Sequence, residues 1–119
     1  MARYLISFEK GAMDHIPEED LGEVGKAAHA VCEEAKDAGV FRFAGGLSYD
    51  DGDVEHAVVG TDGMVMDGPY PESKELIGGV LVVEVPTRDD ALVWAAKIAT
   101  ACRCAQDVRK FMHDLELIE

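Results

Sequence analysis

Asp67, His56, Lys74 and Tyr70 are the side chains here whose types and spacing can do proton chemistry around one short break in the chain. Asp67 opens the run Asp67-Gly-Pro-Tyr-Pro71. Its carboxylate can act as an acid or base, or bind a cationic group. It can equally accept backbone N–H bonds in an Asx-turn before Gly-Pro. The segment that follows is stiff, so it can hold Asp67 and the Tyr70 phenol against a pocket. His56 lies just upstream, and an imidazole facing the same pocket as Asp67 is a general base; as a surface strand residue it does nothing. Lys74 can bind an anionic group, or pair with a neighbouring acid at the surface. His29 lies about 130° off the apolar stripe of the first helix and reads as solvated. His15 and His113 read as loop and terminal residues.

Other chemistries find no support. Gly45-Gly46 and Gly78-Gly79 lack the spacing of a phosphate-binding loop. Ser7, Ser48 and Ser73 have no nucleophile-elbow context. Cys32, Cys102 and Cys104 are odd in number and imply no disulfide framework. Cys102-Arg-Cys104 is expected to put both sulfurs on one face of a strand. With His113 that spacing matches no common zinc pattern, so free thiols and no metal are expected.

These residues must be positioned by regular elements. Tyr4 to Phe8 reads as a strand. Pro17 followed by Glu18, Glu19 and Asp20 starts a helix. Its apolar positions Leu21, Val24, Ala28, Val31, Ala35 and Ala38 recur at spacings of 3, 4, 3, 4 and 3, which is one amphipathic stripe. Gly39 stops it. Gly22 and Gly25 weaken its first turns or permit close packing. Val40 to Ala44 alternates as a second strand, with a bulge or bend expected at Gly45-Gly46. Asp50 to Asp53 is a turn cluster. Val54–Val59 and Met64–Met66 flank Gly60-Thr-Asp-Gly63 as a hairpin. Glu72 to Leu76 can form one helical turn. Gly79 to Val85 is the most apolar strand and ends at Pro86. Thr87 with Asp90 resembles a capping box and starts a helix that presents Ala91, Trp94, Ala95 and Ile98 on one face. A last strand is expected within Cys102 to Met112.

Without the hairpin this order is βαββαβ, the ferredoxin-like α+β arrangement, in one domain over residues 1–119. Strand residues such as Tyr4, Phe41, Phe43, Val82 and Phe111 are too apolar for a naked sheet face. A homodimer packed sheet on sheet is therefore expected.

Composition narrows the function classes. Hydrophobic residues make up 48% and charged residues 29% of the chain, as in an ordinary globular domain. The net charge of −13 repels phosphate backbones and anionic lipid, which argues against nucleic-acid and membrane partners. No stretch approaches the roughly 20 apolar residues of a membrane span. The start lacks a secretory apolar region, so a cytoplasmic protein is expected.

The run from Val65 to Gly79 resembles the signature of the YCII-related superfamily, in the branch named for its Asp-Gly-Pro-Phe (DGPF) motif. Asp67, Gly68, Pro69, Glu72, Lys74, Glu75 and the Gly78-Gly79 pair match, with Tyr70 in place of Phe and Ser73 where Thr is frequent. Ala38-Gly39, Pro86, Asp89, Ala91 and Trp94-Ala-Ala96 fit the same pattern, so the resemblance extends over roughly residues 30–112. Asp107-Val-Arg-Lys-Phe111 departs from it by lacking a terminal Pro, and Arg109 is given no site role on that account. The resemblance implies a ferredoxin-like fold assembled as a dimeric α/β barrel. It also places His29 near the helix histidine of the YciI-like branch. The reading that follows is a small-molecule-binding protein or cofactor-independent acid–base enzyme. His56 and Asp67 are its catalytic candidates, and Tyr70, Lys74 and His29 its ligand-binding candidates, in a pocket beside the Asp67 loop. The alternative is a non-catalytic regulatory module associated with an extracytoplasmic-function sigma factor.

Overall fold

The computed structural model describes residues 1–49, 56–68 and 76–113. Within them the chain forms β1 (Ala2–Glu9), α1 (Leu21–Asp37), β2 (Phe41–Gly46), β3 (Ala57–Val59), β4 (Val65–Asp67), β5 (Ile77–Val85), α2 (Arg88–Cys102) and β6 (Asp107–Lys110). The Asp50–Asp53 turn, the start of the expected hairpin at Val54 and the helical turn over 72–75 lie outside the described residues.

The main sheet has the order β2-β5-β1-β6, every neighbouring pair antiparallel. This order is compatible with a ferredoxin-like fold. Among the described residues, β3 and β4 pair only with each other, as a separate two-stranded ribbon. The core lies between the sheet and the two helices. Tyr4, Ile6, Leu81, Val83 and Val85 meet Val31, Ala91, Ala95, Ile98 and Cys102 there.

Both helices obey their sequence patterns. α1 follows a 3-10 turn at Glu18–Asp20 and buries Val24, Val31 and Ala35. It ends in a Schellman motif: Gly39 N–H donates to Lys36 O and Val40 N–H to Ala35 O, both at 3.0 Å. Gly39 supplies the positive φ of 76° that this stop requires. At α2, Thr87 Oγ1 accepts from the Asp90 N–H at 3.2 Å. The reciprocal half of the box differs, because the Asp90 carboxylate accepts from the Thr87 hydroxyl at 2.8 Å.

Three local expectations are corrected. The irregularity in β2 falls at Arg42, since Phe41 pairs with Val83 and Phe43 with Val82; Gly45 and Gly46 stay in register with Val80 and Gly79. The extra residue sends Phe41 to the helix-covered face and Phe43, 60% exposed, to the open one. Tyr4 also lies on the covered face, so it does not belong to the open apolar surface. The third correction concerns Cys102-Arg-Cys104. α2 runs through Cys102, Arg103 turns the chain at φ 58°, and β6 begins only at Asp107. Cys102 is buried against the core as the last residue of the helix. The two sulfurs therefore share no strand.

The open face of the sheet carries Phe43 and Phe111 exposed and Leu5 and Val82 half-buried. An ion cluster crosses it: Glu84 accepts from Arg3 Nε and from Arg42 Nη2, each at 2.9 Å. These bonds hold the Glu84 carboxyl below the usual carboxylate range. No helix among the described residues is long and apolar enough to cross a membrane.

Candidate functional site

The ribbon carries two of the sequence candidates and separates them. Ala57 faces Asp67 across the β3–β4 pair, and the Gly68 N–H bonds to His56 O at 2.9 Å. Directly opposed residues share a face and neighbours alternate. His56 with Gly68 therefore points to one side and Asp67 to the other. The register does not form the His56–Asp67 pair. Asp67 is exposed. The half-buried His56 ring covers Gly68 so closely that a Cβ there would stand 2.4 Å from its Cδ2. Gly68 is thus glycine to seat this ring. On its other contacts His56 meets the Tyr49 ring edge-on at 5.9 Å. Tyr49 in turn donates to Ile77 O at 2.6 Å and lies under Lys10 Nζ at 4.9 Å. Tyr70 and Lys74 lie outside the described residues.

Residues 69–75 of the Asp67 loop lie outside the described residues; among the described residues, cavities lie along the sheet. A pocket of about 340 Å³ opens between α1 and the β2–β5 side of the sheet, within the range of about 300–1,000 Å³ common for ligand sites. Glycine contributes to both of its walls: Gly25 on the helix side, Gly45, Gly46 and Gly79 on the sheet side. Met13, Val24, Ala28 and Leu81 keep it apolar, and the exposed His29 is its titratable imidazole. Gly25 has no neighbour within 4 Å of an added Cβ, so the missing side chain leaves usable space.

Phe8 closes one end of this pocket. Phe8 pairs with Gly79 and Glu9 with Ile77, so Gly78 is an extra residue in β5. A Cβ on Gly79 would lie 2.6 Å from the Phe8 ring, and one on Gly78 2.9 Å. The glycine pair is therefore the seat of this ring. On the far side of Phe8 lies an open cleft of about 770 Å³. It contains Arg109, whose Nη2 donates to the buried Ser7 hydroxyl at 3.0 Å, together with His15, Glu9, Gln106 and Asp107.

Cys32 and Cys102 border the glycine-walled pocket and Cys104 the open cleft. Burial pushes all three thiols up, Cys102 to about 11 with help from Cys104 and Cys32. They are poor thiolates near neutral pH. Among the described residues no group of His, Cys, Asp and Glu is arranged to hold a metal ion.

The family resemblance makes His29 a ligand-binding candidate. Gly22 and Gly25 read as weakening the first turns or permitting close packing, and neither has a neighbour within 4 Å of an added Cβ. Sequence reasoning missed Phe8, Tyr49 and the Ser7–Arg109 pair. Their only signals are residues distant in the chain, such as the Gly78-Gly79 pair that Phe8 explains.

The YCII-related domain model matches residues 4–109. The chain belongs to this family. Among solved structures, it is similar to the 5-chloro-2-hydroxyhydroquinone dehydrochlorinase TftG of Burkholderia phenoliruptrix AC1100, in complex with 2,5-dihydroxybenzoquinone. The match has 15% identity, a TM-score of 0.50, and covers 96% of this chain and 97% of that one. At this identity the likeness speaks for the fold. No curated protein matches.

Proposed function

We propose that this YCII-related domain binds a small molecule in the glycine-walled pocket and that His29 exchanges a proton with it. The observation that carries the reading is the pocket itself. Gly25 sits in the first turns of α1, where glycine costs a helix about 1 kcal/mol relative to alanine, and it faces open space. Gly22 carries the same cost over equally open space, but of the two only Gly25 borders the pocket, where a ligand can fill that space. An imidazole can both accept and donate a proton, so the site needs only side-chain acid–base chemistry. The structural neighbour is an enzyme with a small ring ligand, which agrees in kind with such a site. The pocket lining includes His29 and neither His56 nor Asp67. Those two, with Tyr70 and Lys74, become secondary candidates on the loop side.

The test is a thermal-shift and calorimetric screen of small hydroxylated ring compounds, 2,5-dihydroxybenzoquinone included. Gly25→Leu fills the pocket; Gly22→Ala, which does not line it, controls for helix propensity. Both variants are expected to fold, with Gly22→Ala the more stable than wild type. Ligand shifts should persist in Gly22→Ala and vanish in Gly25→Leu. Shifts that survive Gly25→Leu contradict the assignment. His29→Gln should keep binding and lose any turnover.

The same reading includes a homodimer that packs the open sheet faces together, supported by Phe43, Phe111, Leu5 and Val82 on that face. Sedimentation of wild type against Phe43→Glu measures it, with a shift to monomer expected. A second reading, a regulatory interaction module, is favoured by the ribbon, where Val59, Met64, Val65 and Met66 are all at least 50% exposed. Loss of all ligand binding from the wild-type screen would leave that reading in place.

A further inference from the structure

The glycine-walled pocket and the open cleft share two wall residues, Phe8 and Gln106. The reason lies in strand lengths. β6 pairs with β1 only from Tyr4 to Ser7. Phe8 and Glu9 therefore have no strand beside them on that edge. The chain that returns toward β6 passes the gap at Gln106, whose amide is directed at Cys104 O at 3.4 Å and Cys104 Sγ at 3.6 Å. On one side of the gap the surface is apolar and made of glycine and a phenyl ring. On the other it carries a guanidinium.

That guanidinium is directed. Ser7 is 2% exposed, and its hydroxyl receives Arg109 Nη2 at 3.0 Å, which fixes one end of the fork. Asp107 Oδ2 stands 3.9 Å from Nε, too far for a hydrogen bond, and both side chains are more than half exposed. An exposed pair of this kind contributes little and yields to a carboxylate that can bond the fork directly. Glu9 also lines the cleft, but it is exposed and has water as an alternative partner. In a chain of net charge −13, an anion gains nothing from the overall field, so its recognition must come from this local donor.

We propose that the open cleft is the anion subsite of the pocket, so that the ligand is a planar ring with a carboxylate or similar anionic arm. The ring lies in the glycine-walled pocket against Phe8, and the arm passes Gln106 round the edge of the sheet to Arg109, which opposes Leu5 on the open face and sits on the edge strand β6, beside the proposed dimer seam. This rests on the pocket reading given above and adds the ligand's chemical class to it.

The experiment measures affinities of full-length protein for benzoate, phenylacetate and 3-phenylpropanoate, which lengthen the arm stepwise. Phenol, hexanoate and benzylammonium serve as the neutral ring, the ringless anion and the cationic ring. At least one aryl acid should bind about tenfold or more tighter than each of these three, the gain of one charge-assisted contact. Arg109→Gln should remove that advantage and leave phenol unchanged. Arg109→Lys should keep part of it. Phe8→Leu should weaken aryl acids and phenol alike while sparing the acid advantage. Circular dichroism and melting of each variant keep folding defects separate.

Aryl acids that bind Arg109→Gln as tightly as wild type overturn the inference. So does equal or tighter binding of phenol, hexanoate or benzylammonium by wild type, or no binding of any aryl acid. If phenol binds and is lost in Gly25→Leu without an acid advantage, the pocket stands and the anion subsite falls. If every ligand survives Gly25→Leu, the pocket reading itself falls, and the subsite with it.

Discussion

The four-stranded sheet and the β3–β4 ribbon are built on different terms. In the sheet, β1 lies between β5 and β6, and Ile6 and Val83 are fully buried against both helices. Its pairings join residues 33 to 106 positions apart. The ribbon is local. Its pairs span Ala57 to Asp67, its turn is closed by Gly60, Gly63 and Asp62, and β4 is exposed throughout. The ribbon carries the start of the family motif, whereas the pocket lies against the sheet. Among the described residues, only the far end of the motif reaches the cavities, with Gly79 in the pocket wall and Leu76 and Ile77 in the cleft. Two of the motif's features, Gly68 and the Gly78-Gly79 pair, serve to seat the rings of His56 and Phe8.

This contrast can be broken by mutation. The largest expected difference is between Ile6→Ala and Val65→Ala. The first removes a fully buried side chain from the sheet core and should destabilise by about 2–5 kcal/mol in denaturant unfolding. The second trims a side chain that is 68% exposed and should stay within about 0.5 kcal/mol. Equal effects would mean that the ribbon is packed as the sheet is.

Next comes the glycine pair. Gly79→Ala forces a Cβ onto the Phe8 ring and within 3.4 Å of Gly45 O, which should cost about 1–3 kcal/mol. Gly68→Ala displaces the half-buried His56 ring and should cost less, about 0.5 kcal/mol. Spectra of His56 should nevertheless change in that variant. A neutral Gly79→Ala would show that Phe8 moves freely, and would remove the ring from the pocket wall.

The smallest effect is one of pH. Cys102 ionises near 11 in the fold against an ordinary value of 9.0, because burial disfavours the thiolate. Between those values the unfolded chain has lost a proton that the folded chain keeps. Stability from this group is therefore full below pH 9 and falls as pH rises, by on the order of 1–2 kcal/mol near pH 11. Unfolding midpoints at pH 8 and 11, compared with those of Cys102→Ala, measure it. Wild type should lose more stability over that interval than the variant.

What was legible in the sequence follows the same division. Period and capping marked β1, α1, β5 and α2, because each buries a face whose apolar spacing is written locally: Val24, Val31 and Ala35 on α1, and Leu81, Val83 and Val85 on β5. The bulge at Arg42 was not legible, since the strand pattern Val40 to Ala44 is unbroken and only pairing with β5 reveals the extra residue. The end of α2 was missed because Arg103, without glycine's freedom, makes the left-handed turn. At the proposed site, His29 is a candidate through the family resemblance, while its position on α1 reads as solvated and Gly25 reads as a weak point of the helix or a place of close packing. Phe8, Ser7 and Arg109 did not stand out, because their meaning comes from partners 71 to 102 residues away.

The most direct test of the account is a backbone-amide NMR titration of the full chain with phenol and phenylacetate. The account predicts that the largest shifts fall at Gly25, His29, Gly45, Gly46 and Phe8, with phenylacetate adding shifts at Ser7 and Arg109. Largest shifts at His56, Asp67 and Gly68 would contradict it and return the site to the ribbon.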